Sequence, residues 1–276
     1  MEFISSATEC IHYAKLAILK YPSLEAIFEN KDYDNWIKKI NQTNNANLYI
    51  TSSNINILNT LVFAGYCIDK KKKNSISDYY QGLLERLSLY ITNFPQLISD
   101  KSFRSKINNL EKLNFLSTLS ELSLAYHISK MGYKILFEKK IQHLNSTKRR
   151  DIDITVFDNL NNQLHIEVYM PNKQLDIQGF FSLKDDNLHF SRKIGLKLLD
   201  KFGDKGFKGL NGMILLGINM VFFEPMYVQT ALNPLESKFL FDNLEIEIPT
   251  GVDGLLFFED GFQGKHSFNI RKIILR

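Results

Sequence analysis

Cysteine is scarce in this chain. Cys10 and Cys67 are the only two among 276 residues, and they lie far apart, without the density of a disulfide scaffold or the paired spacing of a cysteine zinc site. The six histidines, His12, His127, His143, His165, His189 and His266, form no HxH or HxxxH pair, which argues against a histidine zinc centre. Long apolar runs are missing too, since nothing approaches the roughly 20 residues that a membrane-spanning helix requires. The opening MEFISSATECIHYAK has no basic segment followed by an apolar run and a small-residue cleavage site, so a cytoplasmic protein is expected. There is no GxSxG elbow, phosphate loop, dinucleotide fingerprint or internal repeat.

What remains is a composition suited to folding: 44% hydrophobic and 12% aromatic residues, enough for one large core or two modest ones. The net charge of +4 says little by itself, because many proteins with no acidic partner are equally basic. Its distribution says more. From Lys134 to Arg150 six bases, Lys134, Lys139, Lys140, Lys148, Arg149 and Arg150, face the single acid Glu138, and from Lys184 to Lys208 seven bases face four aspartates. The run Lys70 to Lys73 instead reads as a solvated linker before a helix.

Periodicity divides the chain. Residues 1–110 read as mostly α-helical: Ser5 to Tyr21 halts at Pro22, Leu24 to Ile40 follows, and Ser77 to Thr92 stops before Pro95. The Asn-rich stretch Asn41 to Asn59 favours turns, with Leu48-Tyr49-Ile50 as a candidate short strand. Residues 111–276 read as an α/β domain with a mixed sheet flanked by helices. A helix from about Asn109 to Met131 ends at Gly132, and a strand follows over Tyr133 to Lys139. Asp151 to Phe157 and Leu164 to Tyr169 alternate with period two around Asp158-Asn159-Leu160-Asn161-Asn162, which predicts a hairpin. A polar loop after Pro171, a helix from Ser191 to Phe202, a buried strand within Gly212 to Val221 and a final pair, Val252 to Phe258 and Phe268 to Leu275, complete the pattern.

The hairpin carries the chemistry. Asp151, Asp153 and Thr155 share one strand face and His165, Glu167 and Tyr169 share the matching one, so antiparallel pairing brings Glu167 near Asp153. Facing carboxylates destabilise a ladder unless something compensates, and a divalent cation is the usual compensation. Glu121, on the preceding helix, stands in an apolar stripe with Leu124, Ala125 and Ile128, an expensive place for a carboxylate without a partner.

This array, Glu121 on a helix, Asp153 on a strand and Glu167 fourteen residues later, resembles the restriction-endonuclease-like PD-(D/E)xK nuclease superfamily over roughly residues 112–275. The resemblance implies a restriction-endonuclease-like core and a Mg²⁺-dependent nuclease hydrolysing DNA phosphodiesters, of a restriction or mobile-element kind, with Mn²⁺ able to substitute. Glu121, Asp153 and Glu167 would be metal ligands and catalytic residues; Asp151 is the alternative to Asp153. The sequence departs from the motif at its lysine: Glu167-Val168-Tyr169 puts a tyrosine in that slot, whose phenol supplies no cation. Lys173 is the expected replacement, with Lys193 or Lys197 of the following helix, or metals that suffice without a lysine, as alternatives. Lys148, Arg149, Arg150, Arg192, Lys193 and Lys197 are expected to contact DNA. The helical half is expected to bind DNA, a protein partner or a second copy of the chain. The competing expectation is a nuclease fold that has lost hydrolysis and serves as a binding module.

Overall fold

The computed structural model describes residues 4, 6–42, 55–110, 114–143, 149–171, 183–203, 207–208, 210–221, 232–233, 238–241, 244–261 and 267–276. These residues form a mixed α/β structure that divides into two compact units. The first is Met1–Leu122 with Phe262–His266, and the second is Ser123–Gly261 with Ser267–Arg276. The candidate strand at Leu48-Tyr49-Ile50 lies outside the described residues.

The first unit is helical: α1 (Ala7–Lys20), α2 (Asn30–Gln42), α3 (Ile57–Asp69), α4 (Ser75–Asn93), α5 (Lys101–Asn108) and the start of α6 (Asn114–Lys130). Side chains cap the helix starts. The Ser6 hydroxyl accepts the Glu9 N–H, Asn56 accepts that of Asn59, Asn74 that of Ser77, and Asp100 those of Ser102 and Phe103. Each satisfies a donor that the first turn leaves unbonded. Tyr21 and Phe94 end α1 and α4 immediately before Pro22 and Pro95, as expected from proline's missing N–H.

Helix α3 was not anticipated. It is buried on nearly every side, from Ile57 through Leu61, Val62, Ala64 and Tyr66 to Cys67, so no polar face marks its period. Gly65 is required there, because a Cβ would stand 1.9 Å from the Tyr13 carbonyl oxygen on α1. Lys70 to Lys73 are exposed between α3 and α4, matching the solvated linker read from the sequence.

The second unit holds a seven-stranded mixed sheet. Its strands are β1 (Lys134–His143), β2 (Arg149–Phe157), β3 (Gln163–Tyr169), β4 (Phe207–Lys208), β5 (Met213–Asn219), β9 (Gly254–Asp260) and β10 (Phe268–Leu275), in the order β10-β9-β5-β3-β2-β1-β4. Between β5 and β9, the short strands β6 (Leu232–Asn233), β7 (Lys238–Phe241) and β8 (Leu244–Glu247) make a separate antiparallel sheet, which the sequence reading did not foresee. β1, β2 and β3 form an antiparallel meander, and β3 pairs parallel with β5, which pairs parallel with β9.

The β2–β3 turn is built as its composition predicts. Asp158 Oδ1 accepts the Leu160 and Asn162 N–H groups at 2.8 Å, Oδ2 accepts the Asn162 side-chain amide, and Asn161 takes a φ of 62°, which asparagine tolerates better than most residues. Helix α7 (Leu183–Lys201) starts before the expected Ser191. It buries Ile194 and Leu198, with Phe202 just beyond, against Ile214, Leu216 and Ile218 of β5 and Leu255 and Phe257 of β9. Burying such side chains stabilises the fold by about 1.5–3 kcal/mol each.

Candidate functional site

At β3 the sheet changes from antiparallel to parallel pairing, and the candidate site forms at the strand's C-terminal end. The β2–β3 ladder runs as far as Ile154↔Ile166, so Asp153 and Glu167 occupy its next step. There the backbone pairing gives way to a side-chain bond: the Val168 N–H donates to Asp153 Oδ2 at 2.8 Å. On β1, Glu138 opposite Asp153 takes a φ of 50°, and this pair is skipped in the β1–β2 register. A local break in regular pairing therefore surrounds Asp153, which is half-buried, while Asp151 is exposed. Of the two aspartates offered by the sequence, Asp153 is the one that bonds to β3.

Glu167 is only 1% exposed. The β3–β5 register sets it and Tyr169 level with Leu216 and Ile218, on the side that packs beneath α7. A carboxylate in such surroundings needs a counter-charge, and Lys201 supplies it through an ion pair to Oε1. One turn earlier, the Lys197 ammonium lies 5.1 Å from the centre of the Tyr169 ring, within cation–π range. Burial pushes the Lys197 pKa below the usual lysine value and the neighbouring Lys201 charge adds to this, while Glu167, Asp200 and Asp153 pull it back up. Asp153 and Glu167 are thus among the acids that favour the charged form of Lys197. Burial raises the Tyr169 phenol, which keeps it neutral beneath the ammonium.

The remaining expected residues fall as follows. Lys193 lies one turn before Lys197, half-buried, with its pKa lowered by burial, and Arg192 is exposed. Lys148 and Lys173 lie outside the described residues, as do the side chains of Arg149 and Arg150, whose backbones pair with Gln142 and Ile141. Glu121 belongs to the first unit, where the Lys106 ammonium stands 3.1 Å from its Oε2. That ion pair answers the cost of placing it in an apolar stripe. Among the described residues, no group of three or more His, Cys, Asp or Glu side chains is placed to hold a metal ion.

His165 shares the acidic face in sequence but has a structural role. Its Nε2 donates to the Asn211 carbonyl at 3.1 Å, which leaves Nδ1 to accept the Thr155 hydroxyl at 3.0 Å. Burial lowers its pKa, the Asn211 bond opposes this, and the Lys139 charge lowers it further. The ring is therefore a neutral, fully bonded core group.

Two features escaped the sequence reading. Lys201, which pairs with Glu167, follows Lys193 and Lys197 at the same four-residue interval, and that interval was the available signal. The second is a buried polar knot at the ends of β5 and β9. Asp260 accepts hydrogen bonds from the Ser123 and Ser267 hydroxyls, and its N–H donates to Asn219 Oδ1 at 3.2 Å. Only the fold brings these four residues together.

No helix among the described residues is long and apolar enough to cross a membrane. No family model, curated protein or solved structure matches this chain.

Proposed function

We propose that the second unit is a metal-dependent nuclease of the restriction-endonuclease-like type, acting on DNA phosphodiesters with Asp153, Glu167 and Lys197 as its working residues. The observation that carries this reading is the Lys197 ammonium over Tyr169. A cation stands beside the very position where the resemblance expects a lysine, and it is delivered from α7 instead of β3. The element order supports it as well: helix, three-stranded antiparallel meander, helix, then a strand parallel to the third.

The donor set fits a divalent cation. Asp153 and Glu167 occupy the step beyond the last β2–β3 ladder pair, and Mg²⁺ is commonly held by one or two carboxylates with water completing its shell. Glu167 already requires a positive charge, which Lys201 provides. A bound Mg²⁺ or Mn²⁺ would make water nucleophilic at neutral pH and offset charge developing on the phosphate. Val168 orients Asp153 through its N–H. Lys197 binds a non-bridging phosphate oxygen and holds the substrate against the acid pair, a role worth most in a site that excludes water. Arg192 and Lys193, with the basic strand segment at Arg149 and Arg150, add sequence-independent attraction for the backbone.

The test is cleavage of supercoiled, linear and single-stranded DNA with Mg²⁺ or Mn²⁺ by the native protein and by Asp153→Ala and Glu167→Ala proteins. Metal-dependent cleavage lost in both variants is the expected result. A native protein that binds DNA without cutting it under any of these conditions would replace this reading with the hydrolytically silent binding module.

A further inference from the structure

Helix α7 presents Lys193, Lys197 and Lys201 at positions i, i+4 and i+8, beside the buried stripe of Ile194, Leu198 and Phe202. All three lysines are half-buried, with stems that can lie on apolar surface; the Lys201 ammonium reaches Glu167 and the Lys197 ammonium stands over Tyr169. Between Arg192 and Lys201 the helix carries four bases against the single acid Asp200. Lys201 is committed to Glu167, which ties one end of the lysine row to the acid pair. Four residues of α-helix advance about 6 Å, close to the separation of successive phosphates along a nucleic-acid strand.

We propose that α7 is the track for one strand of the nucleic acid: the phosphate at the acid pair faces Lys197, and the next phosphate toward the helix N-terminus faces Lys193. This rests on the nuclease reading for the identity of the polymer, and it adds the direction and spacing of the bound strand. Lys193 is then a binding residue for the phosphate beside the scissile one. Its ammonium acts as a point charge, so the contact is independent of base sequence.

The experiment separates binding from hydrolysis. Fluorescence anisotropy with a labelled DNA duplex of about 20 base pairs, in EDTA, gives affinity as a function of salt for the native protein, Lys193→Gln, and Lys272→Gln on the exposed edge strand β10 as a control. Each lost phosphate contact lowers the slope of log K against log salt by about 0.9, or roughly eightfold in affinity near 0.1 M salt. Lys193→Gln is expected to show this drop and Lys272→Gln none. A slope unchanged in Lys193→Gln, an equal drop in Lys272→Gln, or no binding by the native protein would overturn the track. Metal-dependent cleavage with an unchanged Lys193→Gln slope would remove the track and keep the nuclease. The expected slope change without any cleavage would do the reverse.

Discussion

Removing either partner of the Glu167–Lys201 pair should have unequal consequences. The Glu167 side chain is 1% exposed and that of Lys201 is 26% exposed. Lys201→Met leaves a buried carboxylate without its ammonium, and breaking a buried pair in this way costs about 3–5 kcal/mol. Because Lys201 reaches solvent, part of its attraction is already screened, so the lower end, about 3 kcal/mol, is the expected loss. Glu167→Gln leaves a lysine that can turn outward and hydrate, and it keeps a side chain able to hydrogen-bond. About 1 kcal/mol is expected there. Urea unfolding of native, single-variant and double-variant proteins gives the two losses and their coupling, expected to be about 2 kcal/mol. If both single variants fell within about 0.5 kcal/mol of the native protein, the pair would be a surface-type contact, and the argument that Glu167 demands a cation would fail.

Burial and the neighbouring Glu9 push the Cys10 thiol up to about 11, so roughly one molecule in a thousand carries the thiolate at pH 8. Iodoacetamide should modify Cys10 at pH 8 no faster than the first unit unfolds, and rapid labelling of the native protein would show the thiol to be accessible. Gly65→Ala should destabilise the first unit by about 2 kcal/mol: the helix gains about 1 kcal/mol from alanine, but the clash with the Tyr13 carbonyl costs more. Thermal unfolding at or above the native midpoint would refute the close approach of α1 and α3.

The hairpin was legible because its evidence is local. Strict alternation sets the faces, and Asp158 with Asn161 and Asn162 specifies the turn. The acid pair followed from that register. The lysine did not, because a strand pattern reports only its own neighbours. Whether Lys193 or Lys197 approaches Tyr169 depends on how α7 packs on the sheet, and that is fixed by Ile194, Leu198 and Phe202 meeting β5 and β9. Helix α3 was illegible for the opposite reason: a segment buried on all sides has no polar face to reveal its period. The strands β6 to β8 are two to four residues long, too short for alternation to distinguish them from a turn-rich loop. Glu121 is costly in its stripe, and its partner Lys106 lies fifteen residues away on α5, so nothing local connects the two.

The proposed assignment is that α7 supplies, through Lys197, the cation that β3 lacks. Its most direct test is the rate of Mn²⁺-dependent DNA cleavage by the native protein, by Lys197→Gln, and by Lys197→Gln combined with Tyr169→Lys, which returns a lysine to the strand slot. Lys197→Gln is expected to lose about two to three orders of magnitude, and the double variant to recover at least about tenfold of it. Cleavage by Lys197→Gln at the native rate would contradict it.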